Sequence, residues 1–240
     1  MEKKEASVYL APHQDDELTN LGVDLCREAA GGKEVWCLLF TDGSSSFVRT
    51  FLANGEPCPL HEGRHVYPMD RAEFARARDR EFLSSLGAMG VMPERAVILP
   101  GRAQDGSLSK ERAKELLLAF LAELPGRKVT LKSVMPMRSV RQNPDHTALA
   151  LAAEEVFREG KAAALEFFYE MIHEEYDVPE KEGLIRLTPS EKEKRRLLKA
   201  ARAYGTWNPE KGYFAIGYHS VKDEFDAFIR DPHALVRREA

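Results

Sequence analysis

Short apolar runs alternate with amphipathic stretches over the first two thirds of the chain. Residues 7–11 (SVYLA) and 34–40 (EVWCLLF) are runs of strand length, rich in β-branched and aromatic side chains. Between them Leu18, Leu21, Leu25 and Ala29 recur at helical spacing, and the stretch ends at Gly31-Gly32. This predicts a strand, a crossover helix over 17–30 and a second strand, the unit of a parallel sheet. The alternation continues with a charged helix over 71–86 closed by Gly87, a strand over 96–99 and a helix over 110–124 capped by Ser109. A strand over 129–135, a helix over 145–158 and a strand over 163–171 follow. Such a pattern makes a Rossmann-like three-layer α/β sandwich with a mostly parallel sheet, whose functional groups gather at the carboxyl ends of the strands.

After residue 175 the character changes. A basic helix is predicted over 188–204, with Thr188 as cap and Pro189 in its first turn. An aromatic, glycine-containing loop over 204–218 and a last helix over 222–229 come next. We therefore expect an α/β domain over 1–175 and a helical and loop extension over 176–240 packed on it. The 240 residues, 43% hydrophobic and 31% charged, suit that plan. A net charge of −4, from 35 basic and 39 acidic residues, argues against a nucleic-acid partner. No apolar run approaches the roughly 18–20 residues of a membrane span, and the charged lead over 1–7 lacks the apolar core of a signal peptide. Cys26 and Cys37 sit in apolar patterns and read as buried free thiols, with Cys58 a third, widely spaced cysteine. These features read as cytoplasmic and leave the oligomeric state open, a homo-oligomer included.

Two segments carry chemistry. Residues 8–17 read VYLAPHQDDE, an apolar strand running into His13, Asp15, Asp16 and Glu17. Acids in a first helical turn favour the helix dipole, which accounts for any one of the three acids alone. It does not account for Pro12-His13 at the strand end, nor for three acids crowded into one turn, whose repulsion a cation relieves. His13 and Asp16 can converge across the turn while Asp15 points elsewhere, and one imidazole nitrogen with one carboxylate oxygen suits zinc. A dinucleotide site needs glycines at this turn, and neither a Walker A sequence nor a G-x-S-x-G elbow occurs. Residues 143–147 read NPDHT ahead of an apolar helix. Asn143 has the form of an N-cap followed by Pro144. Helix starts beside strand ends lie on the rim where His13 and Asp16 sit, so His146 can supply a third ligand. His, Asp and His with a water is the open arrangement of catalytic zinc.

With Pro12-His13-Gln14-Asp15-Asp16-Glu17 and Asn143-Pro144-Asp145-His146 in place, the chain resembles the N-acetylglucosaminyl-phosphatidylinositol deacetylase (LmbE-like) family. Lesser similarities are Thr41-Asp42-Gly43, the helix around Arg78 and the turn at Asp105-Gly106, all within roughly residues 6–160. The resemblance implies an LmbE-like deacetylase fold and one zinc per chain held by His13, Asp16 and His146, another divalent metal being the alternative. It implies Asp15 as general base and Asp145 as the residue that orients the site, with Arg78, Asp105, Asp42 and Glu17 as contacts to substrate. The reaction implied is removal of an acetyl or other small acyl group from the nitrogen of an N-acetylglucosamine-type conjugate, Asp15 activating water at the metal. The chain departs from the family at Asn143, where histidine is usual. Asparagine can donate a neutral hydrogen bond to an oxyanion but cannot serve as an acid.

Rival readings are fewer. His61-Glu62-Gly63-Arg64-His65 matches the H-E-x-x-H signature of zincin proteases, which requires a helix. The segment lies among Pro57, Pro59 and Pro68 without an apolar stripe, so a loop histidine pair near the substrate entrance is expected, a protease through His61, Glu62 and His65 being the alternative. A metal-dependent phosphohydrolase prefers all-oxygen sites and basic groups for phosphate. A protein that kept the metal and lost turnover is motivated by Asn143 alone. Tyr204, Trp207, Tyr213, Phe214 and Tyr218 read as packing rather than a sugar platform, and His173 and His219 as structural.

Overall fold

The computed structural model describes residues 4–239. The first strand, β1 (Lys4–Ala11), begins three residues earlier than its apolar run, and it is followed by α1 (Asp16–Thr19) and α2 (Gly22–Ala30). The single helix predicted over 17–30 is thus two. Asn20 interrupts it, donating from Nδ2 to Asp16 Oδ1 at 2.9 Å and accepting from the Met171 N–H at 3.0 Å. A short amide side chain tied to its own turn and to a distant backbone competes with the helical ladder. Then come β2 (Glu34–Thr41), the short α3 (Val48–Phe51) and α4 (Arg71–Met89). α4 runs past the expected stop at Gly87 to Gly90, whose left-handed backbone closes it.

β3 (Ala96–Ala103), α5 (Lys110–Ala122), β4 (Arg127–Val134), α6 (Pro144–Arg158) and β5 (Ala164–Phe168) complete the predicted alternation. Ser109 caps α5 as expected, accepting from the Arg112 N–H. β6 (Ile185–Leu187) was not foreseen. α7 (Glu191–Tyr204) starts later than its basic pattern suggested, because Ser190 and Glu193 form a reciprocal capping box and leave Thr188 and Pro189 outside. The aromatic loop holds a small hairpin, β7 (Trp207–Asn208) with β8 (Tyr213–Phe214), and then α8 (Ile216–Ser220). α9 (Lys222–Arg230) and β9 (Ala234–Glu239) end the chain.

The seven-stranded sheet has the order β3-β2-β1-β4-β5-β9-β6. Its first five strands are parallel, and β9 runs antiparallel to both β5 and β6. The strand at the β5 edge therefore comes from the far end of the chain and covers what would be an open edge. Alternation along each strand splits the core in two. Tyr9 and Ala11 of β1 with Cys37 and Leu39 of β2 face α2, α4, α7 and α9, while Val8, Leu10, Leu38 and Phe40 face α5 and α6. Three layers result, as expected for strands buried on both faces. Cys26 and Cys37 are buried free thiols, and Cys58 is a partly buried one. No helix among the described residues is long and apolar enough to cross a membrane.

Candidate metal centre

The connections from β1 and β4 leave toward opposite edges of the sheet, so a crevice opens at their carboxyl ends. The turn after β1 and the first turn of α6 both deliver side chains there. His13 Nδ1 lies 3.0 Å from His146 Nε2, and Asp16 Oδ2 lies 3.4 Å from the first and 3.2 Å from the second. Donors on a tetrahedral ion with bonds of about 2.0–2.1 Å stand roughly 3.3–3.4 Å apart. The three atoms form a triangle of that size.

Each imidazole is braced from behind. His13 Nε2 lies 3.1 Å from Asp145 Oδ2 and 3.3 Å from Asp105 Oδ1, and His146 Nδ1 lies 2.5 Å from Glu170 Oε1. A carboxylate on the far nitrogen fixes ring orientation and tautomer, the usual support of a metal-binding histidine. The braces are themselves held. Asp145 accepts from the backbone N–H groups of Gly106 and Leu108 at 2.7 and 2.9 Å, and Glu170 accepts from Gln142 at 2.7 Å. The acids outnumber the cations here, and the histidines respond. Burial alone lowers their pKa values, but Asp105, Asp145 and Asp16 raise His13 well above its usual range, and Asp16 and Glu170 raise His146 to about 10. Burial works against ionised Asp16 and Glu170 too, yet the histidines hold both low, Glu170 at about 2.

Asp15 stands apart from this triangle. Its backbone adopts φ 111°, the left-handed region that a non-glycine residue occupies under strain. The turn aims its carboxylate at Arg78, whose Nη2 donates to Oδ2 at 3.0 Å. Burial pushes Asp15 up, Arg78 pulls it down and Asp16 pushes it up again, leaving it at about 6.

The other expected residues are divided by the fold. Asp105 lines the cleft with Asn143, Arg141, Ser45 and Ser220. Arg78 also reaches the cleft, but its guanidinium is buried and donates to Asp15 and to the carbonyls of Gln14 and Gly43. It acts on Asp15 rather than presenting a free fork. Two expectations are corrected. Glu17 is wholly buried and accepts from the Tyr204 hydroxyl and the Asp15 N–H, so it cannot touch a substrate. Asp42 accepts from the N–H groups of Ser44 and Asp105 and does not line the cleft; it ties two loops together. Asn143 caps α6, accepting from the Asp145 N–H at 2.9 Å. The zincin alternative fails as well: residues 55–66 form a loop closed by the antiparallel bridge Pro57↔Arg64, without the helix it needs. None of Tyr204, Trp207, Tyr213, Phe214 and Tyr218 lines the cleft.

Sequence reasoning missed Glu170, Asn20 and Glu224. Glu170 could have been found, since it follows β5 at a carboxyl strand end. Glu224, raised to about 8 by burial and by Asp15, Asp16 and Glu170, reaches the cleft from α9, with no local signal. The cleft encloses about 420 Å³, and Phe47 and Ile172 on its lining are largely exposed.

Among solved structures, the A40926 pseudoaglycone deacetylase Dbv21 superposes with a TM-score of 0.63 at 16% identity, covering 100% of this chain and 99% of its own. The N,N'-diacetylchitobiose deacetylase of Pyrococcus horikoshii gives 0.62 at 15%, covering 98% and 84%. GalB, the 4-carboxy-2-hydroxymuconate hydratase of Pseudomonas putida KT2440, gives 0.57 at 13%, covering 98% and 96%. The shared fold thus hosts more than one chemistry. No curated protein matches the chain in sequence. The family model for PIG-L, GlcNAc-PI de-N-acetylase, matches residues 8–157, the span that holds the His13 turn, Arg78, Asp105 and the α6 start. By that match, over more than half its length, the chain belongs to the PIG-L (LmbE-like) deacetylase family.

Proposed function

We propose that this protein is a zinc-dependent hydrolase that removes an acetyl or other small acyl group from the nitrogen of an amino-sugar conjugate. The observation that carries the reading is the triangle of His13 Nδ1, Asp16 Oδ2 and His146 Nε2, 3.0–3.4 Å on a side, with Asp15 next to it in the same cleft. Two imidazoles and one carboxylate suit zinc, and the surplus of buried acid around them calls for a cation. Held by His13, Asp16 and His146, such an ion would supply Lewis acidity, polarising an amide carbonyl and lowering the pKa of water to near 7. Asp15 takes a proton from the attacking water and delivers it to the departing nitrogen, so the amide C–N bond breaks to free amine and carboxylate. Arg78 holds Asp15 ionised and aimed. Asp145, Asp105 and Glu170 keep the two imidazoles oriented. Asn143, whose carbonyl oxygen caps α6, offers its amide N–H as a neutral donor to the developing oxyanion. Phe47 and Ile172 offer apolar faces to a sugar ring or aglycone at the mouth.

The competing reading, a metal-binding protein without turnover, rests on Asn143. Amine release from a panel of N-acetylated amino sugars, measured beside zinc content, decides between them. Release that requires the metal and is lost in Asp15→Asn supports the hydrolase. Full metal occupancy with no release from any N-acyl sugar sinks it.

A further inference from the structure

The loop over 55–66, excluded above as a protease motif, meets α8 in a second cluster remote from the first in sequence. Cys58, His61, His65 and His219 each place one donor atom within 4.8 Å of the others. Cys58 Sγ lies 3.2 Å from His219 Nε2. The three ring centroids are 5.1–5.4 Å apart. Two of the rings face backbone carbonyls through Nδ1, His219 that of Ala215 at 2.7 Å and His61 that of Glu62 at 3.0 Å. A carbonyl only accepts, so Nδ1 carries the hydrogen in both, and each Nε2 keeps its lone pair. His61 Nε2 and both ring nitrogens of His65, a fully buried residue, find no hydrogen-bond partner among the described residues. Buried imidazole nitrogens left unpartnered are unfavourable unless something else meets them.

Trp207 stacks on His61 at 3.6 Å and Phe51 packs edge-on against His65 at 4.3 Å, covering the cluster with apolar surface.

We propose that Cys58, His61, His65 and His219 form a second zinc site, closed by four protein ligands. A thiolate with three imidazoles is a donor set that zinc favours, and C-x2-H-x3-H brings three of them from one tight loop. Binding takes the proton from the Cys58 thiol. With four ligands no coordination position is left for water, so this ion is structural. It ties residues 55–66 to α8, and Ser220 and Val221, which follow His219, line the first cleft. The chain then carries two ions rather than one. This site does not depend on the hydrolase reading.

Cobalt substitution separates the two sites, because of the two only the second offers a thiolate, Cys58, for a charge-transfer band, and loss of the band in Cys58→Ser excludes Cys26 and Cys37 as its source; His13, Asp16 and His146 offer no sulfur. Cobalt-loaded wild type is expected to show the band, His13→Ala to keep it and Cys58→Ser to lose it. Zinc analysis should return about two ions per chain, with Cys58→Ser/His65→Ala and His13→Ala each losing a different one. Loaded wild type without a thiolate band, or a Cys58→Ser/His65→Ala protein with undiminished zinc, overturns the proposal. Should those variants not fold, the wild-type spectrum still decides. Failure of the first site would leave the band in place.

Discussion

At the scale of single residues, Asp15 carries the sharpest consequences. It is held at about 6 by burial against the pull of Arg78, and a base works only when ionised. If Asp15 is the base proposed above, activity is expected to fall as pH drops through its titration. A cation bound beside it adds to the pull of Arg78, which sets that limb at or below 6. Asp15→Asn is expected to keep fold and metal and to lose roughly 10²–10⁴-fold in rate, the contribution of a positioned base. Metal content and kcat measured on one preparation test this, and an undiminished rate removes Asp15 from the mechanism. Arg78→Gln deletes the cation that favours the ionised form, so the acid limb should move upward by roughly 1–3 pH units. A limb that stays in place means Arg78 does not control Asp15.

Elements place these residues through their ends and turns. α6 presents Asp145 and His146 in its first turn because Asn143 caps it. Asn143→Ala is expected to cost about 0.5–2 kcal/mol, and Asn143→Ser to recover most of that. Equal thermal midpoints for wild type and Asn143→Ala would show that the cap contributes nothing. The turn after β2 makes a similar demand. Gly43 sits at φ 63°, and an added Cβ would lie 2.6 Å from Arg78 Nη1 and closer still to Gln14 Oε1. Gly43→Ala must therefore displace Arg78. Activity should fall on the order of 10²-fold, as for other small misplacements of a catalytic group, while zinc content holds. Unchanged kcat/KM would mean the position of Arg78 is not critical.

Across the whole molecule, the buried side of the sheet relies on one charged network. Lys132 is 2% exposed and lies 2.5, 3.2 and 2.8 Å from Asp24, Glu28 and Glu166, while the Tyr9 hydroxyl donates to Asp24. Lys33 and Arg238 reach Glu28 and Glu166 from the surface, but Lys132 is the buried cation of the network, so Lys132→Met is expected to cost about 3–5 kcal/mol in urea unfolding at neutral pH. Burial raises Glu28, but Lys132, Lys33 and Ser7 together outweigh it and hold the carboxyl at about 2, against an ordinary 4.5. A depressed carboxyl stabilises the fold above its unfolded value and loses that contribution as pH falls toward its folded one. The gap between Lys132→Met and wild type should accordingly narrow between about pH 4.5 and 2. A gap independent of pH would remove Glu28 from the network.

Local pattern was enough for the α/β alternation and the parallel strands, because apolar runs and helical spacing are written within single segments. It was also enough to point to His13, Asp16 and His146, since a strand running into His and acids, or an Asn-Pro start, is a local signal for a residue at a strand end. Only the tertiary structure decided what those segments meet. Asn20 breaks a well-patterned helix because its partners are Asp16 and the Met171 backbone. Glu17 and Asp42 share motifs with the site yet turn into packing, because burial beside Tyr204 and the loop N–H groups claims them. β6 and β9 are legible only as strands once the β5 edge exists to pair with. Cys58 and His219, 161 residues apart, carry no common pattern. Periodicity records which face of an element is buried, but convergence of donors from separate elements depends on sheet order and chain crossing, which no single segment encodes.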